Sequence, residues 1–148
     1  MVSSLESSGA ISMGVRIRLK IRHNNTEVET TGLVNSGYES DEPEIHIPLA
    51  LAKKLGFHME RLTSQKYRVV GSNVNVYRLG RVRVCVVGKE TSWVEAIAVM
   101  VPEEYEVLLS DALIEALDIE ILKPKSGIWR FRGEKQERKS SKPEYWVA

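Results

Sequence analysis

From Val15 to Arg22 the chain alternates without a break. Val15, Ile17, Leu19 and Ile21 are apolar, and Arg16, Arg18, Lys20 and Arg22 between them are basic. Successive side chains of a strand point to opposite faces, so this period of two specifies a half-buried strand with a solvated basic face. His23-Asn24-Asn25 supplies a turn, because Asn tolerates positive φ, and Thr26 to Val34 returns as a second strand. Glu27 and Glu29 on the return are the expected cross-strand partners of the basic face.

The returning strand ends in the stretch Thr31-Gly-Leu-Val-Asn-Ser-Gly-Tyr38. Apolar Leu33-Val34 runs directly into Asn35-Ser36-Gly37, a polar and flexible turn that lifts its first side chain out of the sheet. Tyr38 to Glu44 then carries Glu39, Asp41, Glu42 and Glu44 around Pro43 and reads as a solvated acidic loop, since it lacks the spacing of a calcium loop. Glu44 to Pro48 is a short strand, with His46 on one of its faces and no partner for nucleophilic or metal chemistry. Pro48 opens a short helix whose apolar side is Leu49, Leu51, Ala52 and Leu55, and Gly56 stops it.

Further strands are expected at Tyr67 to Val70 and Val74 to Leu79, a hairpin with its tip at Gly71-Ser72-Asn73, and at Val82 to Val87 and Trp93 to Val101. In Val107 to Leu117 an apolar strand meets a helix: Ser110 is a good N-cap, Asp111 suits the positive end, and Leu113, Ile114 and Leu117 form the buried side. Ile119 to Leu122 and Ile128 to Phe131 are the last strand candidates. The organisation read from these patterns is a flexible N-terminus over 1–13, one domain over 14–132, and a charged, mobile tail over 133–148. The tail's apolar tip, Tyr145-Trp146-Val147, should dock somewhere.

With 148 residues, 43% hydrophobic and 28% charged, the chain can bury a core as an ordinary globular protein. A net charge of +1 favours neither nucleic acid nor membrane, so the arginine-bearing strands do not argue for a nucleic-acid binder. The apolar runs are too short to span a bilayer and the Ser-rich start lacks a signal peptide's apolar core, which makes a cytoplasmic location the expectation. Cys85 is the one cysteine, so neither an intrachain disulfide nor a cysteine metal cluster can form.

The Thr31–Tyr38 stretch resembles the active-site turn of the retropepsin-like aspartic proteases, where two apolar residues precede Asp-Thr-Gly or Asp-Ser-Gly. Asn35 stands where that family has its catalytic aspartate. Pro48-Leu-Ala-Leu-Ala-Lys-Lys-Leu-Gly56 is similar to the proline and apolar helix ending Leu-Gly of microbial single-lobe members. The hairpin after it takes the place of the flap that closes over bound peptide, and Val107 to Leu117 resembles the closing strand, glycine and helix, with Ser110 in the glycine's place. The likeness covers about residues 14 to 131.

This resemblance implies a mainly β, retropepsin-like closed barrel of the acid-protease fold, with one short and one C-terminal helix. It implies a catalytic turn of Asn35, Ser36 and Gly37, and substrate binding by Tyr38, Val70, Gly71, Ser72 and Asn73. No metal or cofactor is implied, nor any nucleic-acid or membrane partner. The implied partners are a peptide or protein substrate and a second copy of the chain, because a single lobe must pair across a two-fold axis to bring two turns together. In such a site two carboxylates share one proton: the ionised one takes a proton from water and the other polarises the peptide carbonyl. The Asn35 amide keeps the shape but accepts no proton, so the chain as written should be an inactive endopeptidase. The alternative is a natural non-catalytic peptide-binding or assembly protein on the same fold.

Overall fold

The hairpin expected at the start of the domain forms as β2 (Arg16–His23) and β3 (Thr26–Leu33), with Asn24 at φ 53 in the turn. β1 (Val2–Ser4) precedes it. The computed structural model describes residues 2–4, 14–34, 37–61, 64–69 and 72–147. After β3 come β4 (Glu44–His46), helix α1 (Leu49–Lys54), a 3-10 turn (Met59–Arg61), β5 (Ser64–Val69), β6 (Ser72–Val86), β7 (Val94–Met100) and β8 (Val107–Leu109). Helix α2 (Asp111–Ala116), β9 (Ile119–Lys123), β10 (Ile128–Phe131), β11 (Arg138–Lys139) and β12 (Glu144–Trp146) complete the chain.

Six strands close on themselves in the order β2-β3-β8-β4-β7-β6, with β6 pairing back to β2. The protein is therefore mainly β, a closed six-strand barrel with two short helices among the described residues. The pairings β3–β8 and β4–β7 are parallel and the rest of the ring is antiparallel. Ile17, Leu19 and Ile21 are buried as the alternation requires, and Ile45, Val84 and Leu109 join them in the core. Short β8 fits between β3 and β4, and Gly32 makes room for it. A Cβ there would come within 2.7 Å of both the Leu109 and the Leu19 side-chain tips. No helix among the described residues is long and apolar enough to cross a membrane.

On the outer face, Arg18 pairs with Glu29 and Arg22 with Glu27, as the cross-strand pattern predicted. These pairs are exposed and worth at most about 1 kcal/mol each. Arg16 differs. Expected on the solvated face, it is only 8% exposed, and its guanidinium donates from Nε and Nη2 to the two carboxylate oxygens of Glu106. The loop before β8 brings Glu106 over the strand end, a contact 90 residues away that no local pattern encodes. Burial alone would lower the Arg16 pKa, but the bond to Glu106 outweighs it and the guanidinium is held more firmly charged.

The hairpin also departs from its sequence reading. β6 is one continuous strand rather than two, with an irregularity at Gly80, whose φ of 139 admits the bend. Val69 pairs with Ser72 and Arg68 with Asn73, so Ser72 and Asn73, expected at the tip, belong to the strand. In α1, Leu51, Ala52 and Leu55 are buried, but Leu49 is exposed rather than on the buried side. Pro48 caps this helix, and Gly56 (φ 87) ends it as expected.

The region expected to be a loose charged tail is placed against the barrel, because its polar groups find partners. β11 adds to β10, Ser141 N–H donates to the Arg16 carbonyl (2.7 Å), and Arg16 N–H donates to Ser140 Oγ (2.8 Å). β8 covers β3 only at Gly32 and Leu33, leaving the Thr31 N–H to be taken by the Glu144 carboxylate (3.1 Å). Trp146 is buried, its indole N–H donates to Thr30 Oγ1 (3.0 Å), and β12 pairs with β1. Trp146→Ala should release this strap, with trypsin cutting sooner after Lys139, which precedes Ser140. Unchanged cleavage would show that the polar contacts alone hold it.

Candidate functional site

The candidate site is the turn that follows β3. Asn35 and Ser36 lie outside the described residues, as do Val70 and Gly71 at the hairpin tip. Gly37 is exposed at φ 68, a left-handed conformation that favours glycine, which is the flexibility the sequence assigned to it. Tyr38 is half-buried beside it.

From Tyr38 onward the loop is tied down. The Tyr38 carbonyl accepts from the Asp111 N–H at the start of α2 (2.7 Å), and its hydroxyl donates to Glu44 Oε1. Glu44 N–H donates to Ser110 Oγ (3.0 Å), and the Glu44 carbonyl accepts from Ser110 N–H (3.0 Å). Ser110 Oγ also accepts from Leu113 N–H (3.2 Å), capping α2. One fully buried hydroxyl thus joins the strand end, the helix and the loop after the turn. Ser110 does this at φ −70 and ψ 159, extended backbone open to any residue. The helix cap was legible in the sequence, whereas the tie to Glu44 and Tyr38 was not. Of the acidic run, Glu44 is the member drawn into this network. Ser72 and Asn73 sit in β6 and pair with Val69 and Arg68 of β5, a ladder that does not include the Tyr38 loop.

His46 is the second group that sequence reasoning undervalued. It lies between Ile45 and Ile47 and is only 2% exposed, because β4 is covered on both faces. Its Nδ1 is 2.9 Å from the Glu106 carbonyl, while Nε2 has no hydrogen-bond partner among the described residues. That carbonyl can only accept, so the imidazole carries its proton on Nδ1. Burial drives the His46 pKa down to about 4, and the carbonyls of Glu106 and Val101 offset this only in part. His46 therefore stays neutral near pH 7 and is a structural histidine. Among the described residues no three His, Cys, Asp or Glu side chains gather as a metal ion would need.

The arrangement offers a turn held firmly on its far side and a hairpin standing out from the barrel beyond β7. Such a frame can position a polar group at residue 35. No protein-family model matches this chain, and no curated protein matches it.

Proposed function

We propose that this chain is one half of a retropepsin-like aspartic endopeptidase that works as a homodimer and is inactive as written because Asn35 replaces the catalytic aspartate. One observation carries this reading: the loop leaving residues 35–37 is anchored to α2 and β4 through Tyr38, Ser110 and Glu44. Preorganisation of that kind is what a carboxylate dyad requires, since two turns must hold their groups within hydrogen-bond reach of one water. The closed barrel, the projecting hairpin and the capped final helix support the same reading. Ser110 in place of a glycine does not count against it, because the residue is bonded to both Glu44 and Leu113. A peptide-binding or assembly protein without hydrolysis uses the same dimer and is favoured by Asn35 itself.

Both readings require two turns to meet at a two-fold axis. Sedimentation should give a dimer, and Asn35→Cys should join the two chains through a short bifunctional thiol cross-linker. Cys85 is fully buried and will not compete. A monomer at high concentration, or a dimer in which position 35 cannot be cross-linked, would overturn the proposal.

A further inference from the structure

Three large apolar side chains are exposed among the described residues: Leu49 (37%), Tyr105 (46%) and Val147 (39%). They gather at one place. Leu49 and Tyr105 line a groove of about 460 Å³, with Met59, Tyr77, Met100 and Trp146 as its other main apolar walls. Val147 follows Trp146 directly, and the Trp146 N–H donates to the Tyr105 carbonyl (2.7 Å), which fixes the strap against that wall. The volume lies within the range of ligand sites, roughly 300–1,000 Å³. Contiguous exposed apolar surface of this kind marks an interaction site.

The charged residues that line the groove are acidic, and Lys54 Nζ stands 5.5 Å over the ring of its Trp146 wall. Glu103 and Glu104 line the groove, and no described lysine or arginine does. Neither carboxylate forms an ion pair with a described residue. Residues 37 and 38 do not line it either.

We infer that this groove docks an extended peptide segment that places an apolar or aromatic residue beside lysine or arginine. The apolar residue enters between Tyr77, Met100 and Trp146, and the cation meets Glu103 and Glu104. The occupant is a chain rather than a compact small molecule because the exposed apolar surface runs past the groove to Val147, which follows the lining residue Trp146. A ligand filling the cavity alone would leave Val147 in water. Tyr77 lies in β6 opposite Ser64 of β5, so an occupied groove bears on the base of the hairpin. The inference goes beyond the proposed endopeptidase and stands on the Asn35 protein as it is.

The test uses the full chain and three labelled twelve-residue Gly/Ser peptides, read by fluorescence anisotropy. Their cores are Lys-Leu-Phe-Lys, Glu-Leu-Phe-Glu and Lys-Ser-Ser-Lys. The first should bind, and the other two at least about tenfold more weakly, since each lacks one of the two complementary features. Glu103→Gln with Glu104→Gln should weaken the first peptide about five- to tenfold, two partly exposed charge contacts being involved. Leu49→Ser and Tyr105→Ser should weaken it too, with thermal melting unchanged because both sites are exposed. Equal binding of all three peptides, or indifference to these substitutions, overturns the inference. So does an octylammonium ion that matches the peptide, which would make the occupant a compact amphiphile. If Leu49→Ser dissociates the chain's own dimer, the groove is a self-association surface and the inference also falls.

Discussion

On the proposed reading, Asn35→Asp is expected to confer acid-favoured peptidase activity. The substitution changes one amide to a carboxyl group of nearly the same shape and supplies what the site lacks, a group that can take a proton from water. In the proposed dimer it installs two carboxylates at the axis, which cannot both ionise and so share a proton. General acid–base catalysis of this kind contributes about 10²–10⁴-fold to a rate, so cleavage should rise from none to a readily measured level. The same change ties dimer stability to pH. Pairing raises at least one folded-state carboxyl pKa above its unfolded value, so the folded dimer keeps a proton that unfolded chains release. The stability from that proton is fully present below the unfolded pKa and is lost as pH rises through the raised one. The measurement is cleavage of a mixed peptide library by both proteins from mildly acidic to neutral pH. If the Asn35→Asp protein dimerises yet cleaves nothing, the non-catalytic reading takes its place.

The second large effect comes from His46 and has the opposite sign. Its folded pKa, about 4, lies below the ordinary histidine value of 6.5. As pH falls through 6.5 the unfolded chain takes up a proton that the folded chain refuses, so stability starts to fall. The loss is complete near pH 4, where the folded form also charges, and it adds nothing above 6.5. A difference of this size corresponds to roughly 3 kcal/mol. For a chain of 148 residues that is a fall in melting temperature of about 10 °C. His46→Asn keeps an N–H that can reach the Glu106 carbonyl and removes the titration, so its melting temperature should depend less on pH between 6.5 and 4. Carboxylates contribute equally to both proteins and cancel in the comparison. Parallel pH profiles would show that His46 protonates without cost. Together the two effects confine an active Asn35→Asp dimer to a narrow range. Acid favours the shared proton, while His46 limits how far the pH can drop.

Local chemistry made much of this legible. The alternation at Val15 to Arg22 is the β2 strand, Asn24 takes the positive φ assigned to it, and Ser110 caps α2 with Leu113 and Ile114 buried beneath. What failed to show was contact across the sequence. Arg16 reads like Arg18 and Arg22 in the alternation and differs only because Glu106 arrives from another loop. His46 reads as a strand-face residue because nothing in Ile45-His46-Ile47 says that both faces of β4 are covered. The tail reads as loose because Ser140, Ser141 and Glu144 look like solvated residues until the backbones of Arg16 and Thr31 are seen to take them as partners. The strands expected separately at Val74 to Leu79 and Val82 to Val87 are one, with an irregularity in the ladder between Arg78 and Gly80. At the site, the left-handed glycine after the turn could be read directly, but the tie from Tyr38 through Glu44 to Ser110 joins three segments and could not.

The uninterrupted course of β6 gives the barrel a mechanical element. From Arg83 to Val86 the strand is clamped in the ring by β2, and from Tyr77 to Val84 it is held by β7. Between Ser72 and Val76 its pairing is with β5 alone, a two-stranded ribbon of a kind that is only marginally stable by itself. The strand is thus a cantilever, rooted in the ring and held at its outer end by one neighbour, and the ladder shift at Gly80 lies within the rooted part. Loss of the β5 ladder would leave the pairings that close the ring, β6 with β7 and β6 with β2, untouched.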